Sequence, residues 1–113
     1  MSGFPVRVSS VEAQRRSIVA RIWPRTELFE GLLRICSEWR ITAGCVTAMH
    51  GSLLRTRFVY PAPCPEARMG ARYVDPVEVE GPIEFLSGSG MIGTAADGGG
   101  TVIHLHGVMS DPT

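Results

Sequence analysis

The chain contains no lysine: all eleven of its basic residues are arginine. An arginine-only set is the ordinary product of a GC-rich coding sequence. It also suits bidentate contacts to anions, which a guanidinium makes better than an ammonium. Net charge is missing too, because the eleven arginines meet eleven acidic residues and the sequence pI is about 6.8. A free-standing nucleic-acid binder carries a basic excess, so this balance counts against that role. Cysteine is scarce. Cys36, Cys45 and Cys64 are odd in number and show no CxxC spacing, which indicates neither a disulfide framework nor a zinc ribbon. No apolar run approaches the ~18 residues that span a membrane. The N-terminus lacks the basic-then-apolar pattern of a signal peptide. Free thiols without such a signal point to the cytoplasm.

What is present is a globular composition. Hydrophobic residues make up 44% of the 113 and charged residues 19%, too apolar for a disordered tail. The length fits one domain with one sheet and one or two helices. Residues 1–14 show no clear period and read as an N-terminal arm, with the domain proper over 15–113. Ile18, Ala20 and Ile22 alternate with Val19, Arg21 and Trp23, which predicts a strand ended by Pro24. Thr26 is the expected N-cap of a helix over about 27–39, with Glu27 and Glu30 in its first turn. Leu28, Phe29, Leu32, Leu33, Cys36 and Trp39 form its apolar face, and Trp39 is expected to close the last turn against the core.

Residues 41–50 predict a buried strand, Gly51 a tight turn, and residues 52–60 the returning strand of a hairpin. Three prolines and a glycine make 61–70 a loop, and Pro76 suits an edge strand over 72–79. Gly81-Pro82 reads as a turn. A strand over 83–92 follows, with glycines in its second half that mark a bulge or a close backbone approach. A glycine-rich loop over 93–100 leads into a last strand over 102–110. One helix followed mostly by hairpin-linked strands argues an α+β fold with a mostly antiparallel sheet.

His104-Leu105-His106 carries the strongest chemical signal. On a strand, residues two apart share a face, roughly 6.5–7 Å apart along the chain. Two imidazoles there can converge on one metal ion, with Val102 and Val108 on the same face. They can equally be polar surface residues. A metal needs a third protein ligand, for which His50, Cys45, Glu84 and Asp111 are candidates without diagnostic spacing. Glu84 lies between Ile83 and Phe85; it either faces solvent or joins the histidines as a ligand, supporting partner or general base. Arg55 and Arg57 share a strand face and either hold an anion or form salt bridges with a neighbouring strand. The Ser87-Gly88-Ser89-Gly90 stretch is not a nucleophile elbow, and residues 93–100 are not a phosphate loop.

Taken together, these pieces resemble the PPC domain, the plants and prokaryotes conserved domain, in its bacterial or archaeal single-domain form. The specific parts are Gly81-Pro82-Ile83-Glu84-Phe85-Leu86-Ser87 with Gly90, and His104-Leu105-His106 leading to Ser110-Asp111. Arg21-Ile22 before Pro24, Glu27-Leu28 and Gly51-Ser52-Leu53 add to them, over about residues 16–112. The resemblance implies an antiparallel sheet flanked by helices and a homotrimer. It also implies a divalent metal, commonly zinc, on His104 and His106 with a third histidine from a Gly-Gly-His segment. That segment and the strand after it are expected to be lacking here. Arg25 stands where the family usually has glycine, and His50 stands in a turn that is usually glycine-rich. No Arg-Gly-Arg-Pro hook of the plant DNA-binding kind occurs. Three readings follow: an oligomeric module with a histidine metal site, a DNA-associated regulator, or a metal-dependent enzyme acting on a small metabolite.

Overall fold

A computed structural model describes residues 3–111. Its helix, α1, spans Leu28–Glu38 and starts where a carboxylate can cap it. The cap is Glu27, not Thr26: its Oε2 accepts from the Glu30 amide at 2.8 Å. At the other end Ile41 donates to the Cys36 carbonyl at 2.8 Å and Arg40 to that of Ser37 at 3.3 Å. This pair of bonds is a Schellman ending, and it holds Arg40 at φ 53°, a left-handed position that normally goes to glycine. Trp39 is the C-cap and is 51% exposed, so it does not close the last turn against the core. Leu32 and Cys36 are the buried residues of α1.

The main sheet has the order β1-β4-β5, antiparallel throughout. β1 (Gly44–Phe58) runs straight through Gly51, where a tight turn was expected. Gly51 instead lies beside register irregularities, so the ladder absorbs it as a bulge. The expected hairpin partner of residues 41–50 is therefore not 52–60. β1 pairs with β4 (Val77–Thr94), from Gly44 opposite Ile92 to Phe58 opposite Val77. Between them a small hairpin forms from β2 (Pro61–Pro63) and β3 (Ala71–Tyr73). β4 also runs through Gly81-Pro82, a cis peptide, so the turn expected there is absent, and the residues after Pro76 join the central strand, not an edge. A Cβ at Gly81 would lie 2.6 Å from the Leu53 carbonyl oxygen, the close approach that lets the strand pass. β5 (Thr101–Met109) closes the order, reached through a turn over 95–100 in which Gly98 and Gly100 have positive φ.

Residues 17–23, expected as a strand, belong to neither helix nor strand. Their alternation is right, but no neighbouring strand offers them a ladder. Instead Ile22 packs over Gly31, where a Cβ would lie 3.0 Å from its Cδ1. The Arg16 guanidinium donates to the carbonyls of Trp39 and Arg40, at the negative end of α1. The buried core is small: Leu32 and Cys36 from the helix, and Ile83, Phe85 and Ile92 from β4. The α+β reading stands, with a mostly antiparallel sheet and one helix among the described residues.

Candidate metal centre

His104 and His106 lie on β5, two residues apart and both exposed. Strand alternation puts them on one face, and Ile103, Leu105 and Met109, all half-buried, take the other. Val102 and Val108 share the histidines' face and are exposed at 51% and 61%. The ladder shows which side of the sheet this is. His104 stands opposite Met91 of β4, while buried Ile92 stands opposite Ile103. The pair therefore faces away from the core.

On that face the two Nε2 atoms are 3.0 Å apart, with ring centroids at 4.8 Å and planes tilted by 53°. Without a metal this is a hydrogen bond in which one ring donates and the other accepts. With one, both nitrogens would give up that bond and offer their lone pairs to the ion. Two nitrogens each about 2.0–2.1 Å from one tetrahedral ion stand about 3.3 Å apart. The observed spacing needs only a few tenths of an ångström of adjustment, so the pair fits two ligands of a zinc-like ion.

The other candidates stand elsewhere. His50 is on β1, separated from β5 by β4, and in a strand where a turn was expected. Glu84 pairs with Ser52 near the Met109 end of β5, and its amide hydrogen-bonds the Ser110 hydroxyl at 2.9 Å. Among the described residues no cluster of three or more His, Cys, Asp or Glu side chains is present. Neither His50, Glu84, Cys45 nor Asp111 completes a ligand set with the pair. Arg57 faces Glu78 in the ladder and forms an ion pair with it at 3.8 Å; Arg55 faces Glu80. The salt-bridge reading of these arginines thus holds for Arg57. Exposed at both ends, the pair contributes ~0–1 kcal/mol.

Two neighbours were not visible in the sequence. Cys45 and Met91 are ladder partners, with Sγ and Sδ 3.7 Å apart, in the same cross-strand row as His104. A pocket of about 470 Å³ adjoins His104, lined by Met91, Gly93, Ala95, Ala96 and Val102 among others. Both arise from strand register, which residue spacing does not encode.

A family model, the Plants and Prokaryotes Conserved (PCC) domain, matches residues 9–113. The chain belongs to this family. The match covers nearly the whole sequence, and it is the family that the Gly-Pro-Ile-Glu-Phe and His-Leu-His segments resemble. No curated protein and no solved structure matches the chain. Among the described residues of this PCC domain, no helix is long and apolar enough to cross a membrane.

Proposed function

We propose that this PCC domain is an oligomeric binding module that holds a divalent metal, zinc by preference, between His104 and His106. The observation that carries the reading is the 3.0 Å separation of the two Nε2 atoms on an exposed strand face. Imidazole nitrogens suit zinc among the common divalent ions. The remaining ligands come from outside the described residues. When bound, the ion would act as a Lewis acid toward a ligand donor atom. The chain's own residues do the rest: the strand fixes both rings on one face, and the pocket beside His104 offers an apolar wall.

Surface area supports the oligomeric half of the reading. The chain exposes 10048 Å², against about 6,100 Å² for a folded monomer of its mass. Its radius of gyration is 17.3 Å, against about 13 Å for a compact domain of this length. An excess of this size is what obligate interfaces remove. A closed ring of three copies, the homotrimer, is the assembly proposed. Zinc titration against a chromophoric chelator, run alongside light scattering, tests both halves. Tight zinc binding by a trimer is the expected result. A monomer that leaves all zinc on the chelator contradicts it.

A further inference from the structure

A row of three side chains crosses the outer face of the main sheet: Cys45 of β1, its ladder partner Met91 of β4, and His104 of β5, which stands opposite Met91. All three are exposed. Cys45 Sγ donates to Met91 Sδ at 3.7 Å, a weak S–H bond between two soft, polarizable atoms. The other cysteines are placed differently. Cys36 is buried, and Cys64 donates to the Glu66 carboxylate at 3.3 Å. Met91 and His104 border the same pocket of about 470 Å³, so the second and third side chains of the row open onto a common space.

Two sulfurs each about 2.3 Å from one metal ion stand about 4.6 Å apart in a linear complex and about 3.8–4.0 Å apart in a three- or four-coordinate one. The observed 3.7 Å fits the second case, which calls for a further donor. His104 is the next donor along the row, and its ring turns to the sulfurs by leaving its bond to His106. Donor type then decides the ion. Thiolate and thioether together select copper(I), whereas harder divalent ions take imidazole and carboxylate. Among the described residues no three His, Cys, Asp or Glu side chains cluster, so a harder ion finds no full set beside Cys45. We propose that Cys45, Met91 and His104 form a binding site for copper(I). On binding, the Cys45 thiol passes its proton to solvent and the thiolate becomes the ligand, while the ion keeps its oxidation state. The proposal goes beyond the zinc reading: it needs neither His106 nor a divalent ion, and His104 is the one residue the two sites share.

The test is an oxygen-free titration of the full chain against copper(I) held by a chromophoric copper(I) chelator. The variants are Cys45→Ser, Met91→Leu, His104→Ala and His106→Ala, with Cys64→Ser as the control. Cys45 and Met91 are exposed, and Met91→Leu keeps the side chain's bulk while removing its sulfur, so these changes leave the fold in place. The expected result is about one copper(I) ion drawn from the chelator per chain, with a sulfur-to-metal charge-transfer band. Affinity falls by about tenfold or more in Cys45→Ser, Met91→Leu and His104→Ala, and holds in His106→Ala and Cys64→Ser. Undiminished binding by Met91→Leu means that a thiol alone acts and overturns the site. Loss of copper in Cys64→Ser assigns it to another thiol, and loss in His106→Ala assigns it to the histidine pair; either overturns the proposal, as does a chain that takes no copper from the chelator. Zinc binding is expected to survive in Cys45→Ser and Met91→Leu and to be lost in His106→Ala, so failure here is distinct from failure of the zinc reading.

Discussion

The ring of Phe85 occupies the space that a side chain at Gly88 would need: a Cβ there would lie 2.7 Å from its Cζ. Gly107, the ladder partner of Gly88, meets the same ring, with Cβ positions 2.6 Å from Cε2 and Cζ. Two facing glycines thus seat the one buried aromatic side chain among the described residues. Gly88→Ala is expected to destabilise the fold by about 1–3 kcal/mol through overpacking. Urea denaturation checks this. Ala in place of Ser89, exposed on the same strand, serves as the control and should change little.

Arg25 and Arg40 have φ of 68° and 53°, where a Cβ crowds the backbone. Glycine relieves that crowding and gives back part of the gain as unfolded-state entropy. Arg25→Gly and Arg40→Gly are each expected to stabilise the chain by about 0.5–1 kcal/mol. Thermal melts check it, and a fall in Tm for both would contradict the backbone account.

Burial pushes the Cys36 thiol up from its ordinary value. The unfolded chain therefore releases that proton at lower pH than the folded one. Around and above the ordinary thiol range the folded state binds more protons, so stability falls as the pH rises. Below that range the thiol is neutral in both states and costs nothing. Cys36→Ala should flatten the alkaline slope. Urea midpoints for both proteins, at neutral pH and roughly one unit above the ordinary thiol pKa, measure it.

Glu27 holds the first turn of α1 through its 2.8 Å bond to the Glu30 amide. Glu27→Ala is expected to cost about 0.5–2 kcal/mol, while Thr26→Ala costs little. The reverse order would return the cap to Thr26.

Local chemistry made part of this fold readable in the sequence. The apolar spacing from Leu28 to Cys36 predicts α1, and the alternation around His104 predicts β5 with its histidines on one face. Gly88 and Gly90 mark the close approaches expected of glycines in a strand. The misreadings share one cause. Gly51 and Gly81-Pro82 carry turn chemistry, yet both lie inside long strands because the β1–β4 ladder continues past them. Ser17–Trp23 carries strand chemistry, yet it forms none because no partner is beside it. Partners are set by register, and register also decided the site: it placed Met91 and Cys45 in the row of His104 and kept His50 and Glu84 out of a shared cluster.

The metal claim is tested most directly by elemental analysis of the untagged chain beside His104→Ala/His106→Ala. About one zinc or similar divalent ion per chain, lost in the double variant, is the predicted result. No bound metal in either protein, or equal metal in both, would contradict it.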